Sequence, residues 1–112
     1  MEYYKVGSIN DLHPGEMKKT DVQGHEILLA NVDGTYYAID DKCPHMGASL
    51  SEGKLEGTHV ICPRHGSVFD VTNGAFVEGG KLLMIRIKTH DIGSYPVKIE
   101  GADILAGMEQ GQ

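Results

Sequence analysis

Cys43-Pro44-His45-Met46-Gly47 and, after a connecting segment, Cys62-Pro63-Arg64-His65-Gly66-Ser67 hold both cysteines of the chain and two of its six histidines. The pairs read C-x-H and C-x-x-H. Sixteen residues lie between His45 and Cys62, enough for one strand out and one back, so two loop tips can meet around one metal centre. Sulfur with imidazole suits zinc, copper or iron, and residue types alone leave the metal open. Spacing narrows the choice: a zinc finger commonly takes two cysteines from one knuckle and two histidines from a helix. Here each box supplies one thiolate and one imidazole.

Two thiolates on one iron, two imidazoles on another and sulfides between them make a Rieske 2Fe-2S centre. At the two boxes, the glycines after them, Phe69-Asp70 and Asn73-Gly74, the sequence resembles the Rieske family. The resemblance implies that Cys43 and Cys62 hold the inner iron, and that His45 and His65 hold the outer one, nearer solvent. It also implies an all-β fold and a single Rieske domain over 1–112. A β-sandwich base would come from about 1–40 and 81–108, with a small cluster-binding subdomain inserted at about 41–80. The residues themselves leave a structural zinc site, or two unrelated buried cysteines, as the alternative.

The residues around the ligands have physical roles of their own. Pro44 and Pro63 fix their own φ and push Cys43 and Cys62 toward extended geometry, which stiffens both loops. Gly47 and Gly66 can take positive φ and, without side chains, let backbone N–H groups approach bridging sulfides. Rieske potentials span roughly −150 to +300 mV, set by charge, hydrogen bonds to sulfur and exposure. In high-potential respiratory relatives a serine after the second box and a tyrosine two residues later donate to cluster sulfurs, and a disulfide links the boxes. The matching positions here are Ser67 and Phe69, and no further cysteine exists. The expected potential therefore lies in the lower part of the range, and Phe69→Tyr is expected to raise it. Val77-Glu78-Gly79-Gly80-Lys81 lacks the proline that many relatives place in a shielding loop.

A chain of 112 residues and 12.2 kDa fits one domain with a real core. Its net charge of −6 and pI near 5.4 argue against nucleic acid. No run of 18 apolar residues occurs, and Met1-Glu2-Tyr3-Tyr4-Lys5 does not read as an export leader, so the expectation is a cytoplasmic protein that contacts no membrane. Two cysteines, both assigned as ligands, fit a reducing compartment.

Fifteen glycines and short alternating segments between turn signals point to strands. Strands are expected around Tyr4 and Val6, over Lys18–Val22, Glu26–Val32 and Thr35–Ile39, with turns at Gln23-Gly24 and Asp33-Gly34. Ala48 to Gly57 reads as a connection. Thr58–Cys62 and Ser67–Val71 are expected to pair, followed by a turn at Thr72-Asn73-Gly74. Further strands are expected over Lys81–Lys88, Tyr95–Glu100 and Ala102–Ala106, with Gly107–Gln112 frayed.

Of the remaining histidines, His13, His25 and His90 sit in polar or turn contexts and are expected to face solvent, while His59 lacks a cysteine partner. Glu52, Glu56, Asp70 and Glu78 flank the boxes as a candidate acidic docking rim, set against an ordinary solvated surface. No nucleophile elbow or phosphate loop appears.

The resemblance is strongest to soluble ferredoxin components of bacterial aromatic-ring dioxygenase systems. It implies a one-electron carrier, not itself an enzyme, between a flavin-dependent NAD(P)H reductase and a terminal oxygenase. Alternatives are the small Rieske subunit of an assimilatory nitrite reductase, an iron-sulfur redox sensor and, from another class, a zinc-stabilised interaction module.

Overall fold

Ile27-Leu28-Leu29-Ala30 is too continuous an apolar run for a strand with one wet face, and the fold uses both of its faces. A computed structural model describes residues 1–44, 47–64, 66–79, 81–82, 85–86 and 90–108. In it β3 (His25–Val32) is the centre of a four-stranded sheet with β2 (Met17–Val22), β4 (Thr35–Asp40) and β11 (Ser94–Tyr95), in the order β11-β4-β3-β2. Side chains alternate across a strand. Ile27 and Leu29 thus enter one core with Val6, Ala38 and Ile104, while Leu28 and Ala30 enter a second with Ile39, Val60, Phe69 and both cysteines.

Each core is closed by another sheet. β1 (Glu2–Ser8), β13 (Asp103–Met108) and β12 (Val97–Glu100) cover the first, in the order β1-β13-β12. β5 (Lys54–Glu56), β6 (His59–Ile61), β7 (Val68–Asp70) and β8 (Phe76–Glu78) form an antiparallel meander that closes the second. Ile27, Leu28 and Leu29 are fully buried, and each contributes about 1.5–3 kcal/mol of apolar burial. The central sheet is the partition between the two cores, one of which holds both cysteines.

The meander β2-β3-β4 follows from its turns. Gln23 and Gly24 have φ of 56° and 82°, and Asp33 and Gly34 have 51° and 92°, the left-handed pair that matches strand twist in two-residue hairpins. Asp21 Oδ1 accepts from the Gly24 amide at 2.9 Å, and Asn31 Oδ1 from the Gly34 amide at 2.8 Å.

Four expectations about strands need correction. Lys81–Lys88 is not one strand: β9 (Lys81–Leu82) and β10 (Ile85–Arg86) pair antiparallel with each other, and the rest of that span lies outside the described residues. Tyr95–Glu100 is split at Pro96, where a residue without an N–H lets the chain leave β4 as β11 and join β13 as β12. Gly107 and Met108 are not frayed, since they pair with Tyr3 and Glu2. Finally, the connection 48–57 holds a 3-10 turn, Leu50–Glu52, and the strand β5, while Val77 and Glu78 belong to β8.

Candidate metal centre

Cys43 and Cys62 open two loops closed by the same pattern of backbone hydrogen bonds. In the first, the Cys43 amide donates to the Ala48 carbonyl at 2.8 Å and the Gly47 amide returns to the Cys43 carbonyl at 2.7 Å. In the second, the Cys62 amide donates to the Ser67 carbonyl at 2.8 Å and the Gly66 amide to the Cys62 carbonyl at 3.1 Å. Gly47 and Gly66 carry the chain back at φ of 70° and 81°, a region that glycine enters without cost. Proline follows the cysteine in both loops, as the sequence requires for a stiff extended entry.

Both thiols are buried, at 1% and 3% exposure, and belong to one core with Leu28, Leu50, Val60, Phe69 and Ile92. Neither forms a disulfide. Two thiols in one buried core, on loops that share a hydrogen-bond pattern, fit an iron-sulfur group or another thiophilic metal. His45 and His65, the two predicted imidazole ligands, lie outside the described residues. Among the described residues no three His, Cys, Asp or Glu come together as a metal site. A cleft of ≈ 560 Å³ lined by Ala48, Ser49, Glu52, Pro63 and Arg64 puts the exit of the first loop beside the tip of the second.

The second loop closes the β6-β7 hairpin: Ile61 pairs with Val68, Val60 with Phe69 and His59 with Asp70. Phe69 is fully buried, edge to face with Phe76 at 5.8 Å between ring centroids. Ser67, also buried, immediately precedes the return strand β7. Among the described residues the first loop has one bridge, between Lys42 and Ser49. Its root is Asp41, fully buried, whose Oδ2 accepts from the Ser49 hydroxyl at 2.5 Å and whose Oδ1 accepts from the Ser51 amide at 2.9 Å.

Asp40, the preceding residue, points the other way. Its Oδ2 accepts from the Gly93 amide at 2.8 Å, and its Oδ1 meets His25 Nε2 at 2.9 Å and the Tyr95 hydroxyl. Tyr95 Oη lies 2.7 Å from the same His25 nitrogen. Because the tyrosine hydroxyl donates to Asp40, His25 Nε2 must carry a proton to approach both oxygens. Burial, the hydrogen bond to Asp40 and the Asp40 charge together push the Tyr95 phenol well above its usual range. His25 is thus a structural partner and does not simply face solvent as its turn position suggests, whereas His13 and His90 are exposed. His59 stands at the end of β6 away from Cys62, opposite Glu56 and Asp70.

That register also divides the acidic rim. Glu78 pairs with Val68 at the ligand end of the sheet, and Glu52 lines the cleft between the loops, but Glu56 and Asp70 lie at the far end. Asp70 is occupied there, accepting from the Thr72 amide at 2.8 Å and hydroxyl at 2.6 Å. Sequence reasoning missed Asp40 and Asp41. The available signal was a pair of carboxylates closing an apolar strand just before a ligand box.

The family profile described as the Rieske [2Fe-2S] domain matches residues 2–86. The ferredoxin component of the naphthalene 1,2-dioxygenase/salicylate 5-hydroxylase systems of Ralstonia sp is 40% identical over 101 residues, covering 90% of each chain. The solved ferredoxin of carbazole 1,9a-dioxygenase from Nocardioides aromaticivorans aligns with a TM-score of 0.83 at 27% identity, over 97% of this chain and 100% of that one. A structure described as the complex of reduced oxygenase and oxidized ferredoxin in carbazole 1,9a-dioxygenase aligns with a TM-score of 0.76 at 28% identity, over 93% of this chain and 91% of the other.

Proposed function

The chain belongs to the Rieske [2Fe-2S] family, and from that premise we propose that it is the ferredoxin component of an oxygenase system, a one-electron carrier with no catalytic residue of its own. Its cofactor is a Rieske 2Fe-2S cluster, which when bound accepts and releases one electron. The observation that carries the reading is the pair of congruent loops, each delivering one buried thiol to the same core. We assign Cys43 and Cys62 to one iron and His45 and His65 to the other, and residues 41–80 to the cluster-binding subdomain. The chain's own part is to keep both sulfurs dry and both loops stiff, so that little rearranges when the electron arrives.

The donor in this reading is a flavin-dependent NAD(P)H reductase and the acceptor a terminal oxygenase, both meeting the protein at its ligand loops. Glu52, on the cleft between them, supplies negative charge for a transient electrostatic contact. Such a carrier works in the cytoplasm, where thiols stay reduced. Relatives named as ferredoxin components favour a carrier over a nitrite reductase subunit or a zinc module.

Anaerobically purified protein is expected to be brown, with two irons and two acid-labile sulfides per chain and a Rieske electron paramagnetic resonance signal on reduction. His65→Ala is expected to abolish that signal and keep the far-ultraviolet dichroism of the β fold. Zinc in place of iron, or a signal that survives His65→Ala, overturns the assignment.

A further inference from the structure

We propose that Asp41 is the positioning residue of the first ligand loop: its buried carboxylate, clamped between the Ser49 hydroxyl and the Ser51 amide, fixes where Cys43 presents its sulfur. The inference rests on the cluster assignment above. Every polar atom of Asp41 is bonded, the amide to β3 and the other three to 49–51. Its amide donates to the Glu26 carbonyl at 3.1 Å, tying it to β3, and its own carbonyl accepts from the Leu50 amide at 2.7 Å. The carboxylate then takes the Ser49 hydroxyl and the Ser51 amide. Ser49 Oγ lies 2.9 Å from Ser51 Oγ. Since the Ser49 hydroxyl donates to Asp41, it must receive from Ser51, so the hydroxyl is aimed and the chain of bonds is closed.

A fully buried carboxylate is costly unless all its acceptors are met. For packing alone an apolar residue would serve as well or better. What the carboxylate supplies is direction. The second loop takes its direction from the β6-β7 ladder, but among the described residues the first has the Lys42–Ser49 bridge and its own Gly47–Cys43 bond besides this clamp. Ala48, whose carbonyl receives the Cys43 amide, and Ser49, held by Asp41, both line the cleft facing Pro63 and Arg64 of the second loop. Slack at Asp41 is therefore slack in the spacing of the two loops.

The test compares full-length, iron-loaded wild type with Asp41→Ala, Ser49→Ala and Asp41→Asn. Thr72→Val serves as a control that removes a side-chain hydrogen bond at the far end of the same region. Asp41→Ala is expected to broaden the Rieske resonance, shift the reduction potential and release iron to a chelator about tenfold faster, the factor that one unmade buried hydrogen bond sets. Ser49→Ala is expected to move all three readouts the same way by less. Asp41→Asn is expected to restore them, because the amide oxygen still accepts from Ser51 N–H and the amide nitrogen donates to Ser49. Thr72→Val is expected to leave the line shape unchanged. If Asp41→Ala does not fold, Ser49→Ala decides alone. A wild-type line shape, potential and iron retention in the deciding variant overturns the clamp, as does a control that changes equally. A wild type with no Rieske signal overturns the cluster assignment and the clamp with it, whereas unchanged variants of a normal wild type overturn the clamp only.

Discussion

The two cysteine loops share one pattern of backbone hydrogen bonds and have two kinds of support. Around Cys62 the chain enters from β6 and leaves into β7, so the loop inherits a register shared by four strands. Around Cys43 the chain leaves the end of β4 and passes into a 3-10 turn, and a buried side chain stands in for the missing ladder. Main-chain ladders are redundant, since several bonds hold one geometry, whereas a side-chain clamp concentrates the same task in a few atoms. The loops are thus alike in what they present and unlike in how they fail.

The largest expected effect comes from attacking the ladder. A Cβ on Gly53 would lie 1.9 Å from the Ile61 carbonyl oxygen and 3.2 Å from the Leu50 carbonyl oxygen. Neither is a side chain that can swing away. Gly53→Ala is expected to part β5 from β6 at the residue preceding Cys62 and to cost about 3 kcal/mol, the upper end of ordinary overpacking. Thermal unfolding followed by dichroism and by visible absorbance should show both transitions falling together. An unchanged midpoint would mean that the second loop does not depend on its ladder.

Removing the metal sharpens the contrast without a mutation. In the iron-free protein the Cys62 amide still belongs to a hairpin closed on both sides, while the Cys43 amide depends on the Asp41 clamp and one bridge. Hydrogen exchange at Cys43 and Gly47 is expected to accelerate about tenfold more than at Cys62 and Gly66. Equal acceleration would mean that the cluster alone, rather than its supports, orders both loops.

What was legible in the sequence follows the same division between local and distant causes. The two boxes were readable because two cysteines and two histidines fall in two short windows. The hairpins at Gln23-Gly24 and Asp33-Gly34 were readable because their left-handed conformations need particular residues. Alternation along Tyr95–Glu100 marked strand but not which sheet, and only the pairing shows that Pro96 moves the chain from one to another. Lys81–Lys88 alternates only in part, and a pair of two-residue strands leaves no periodic signature. Asp41 and Gly53 were opaque because their partners are fixed by how the segments stack. His25 and Tyr95 stand 70 positions apart, so no local pattern links them, and a turn histidine next to glycine reads as exposed. The acidic rim divided for a related reason: nearness in sequence to a cysteine box says nothing of which end of a short strand a residue such as Glu56 or Asp70 occupies.

The smallest expected effect tests whether the root of the first loop needs support from its other side. Asp40 ends β4 and Asp41 follows it, with side chains in opposite directions, one to the Tyr95-His25 network and one to the clamp. Tyr95→Phe removes the hydroxyl that donates to Asp40 and is expected to cost about 1 kcal/mol, a typical net hydrogen bond. It should also change the response to alkali. The folded state holds the phenol protonated above its ordinary value of 10.0, through burial and then the Asp40 hydrogen bond and charge. Above that value the unfolded chain binds fewer protons than the folded one, so this contribution is full below about pH 10 and is lost as pH rises toward the elevated native value. Denaturant midpoints of wild type and Tyr95→Phe should differ at neutral pH and converge as pH climbs past 10. A gap that stays constant would remove Tyr95 as the source. If the Rieske line shape also stays fixed in Tyr95→Phe, Asp40 stabilises the fold while Asp41 alone aims the loop, so that two adjacent carboxylates divide the work by facing opposite sides of one strand.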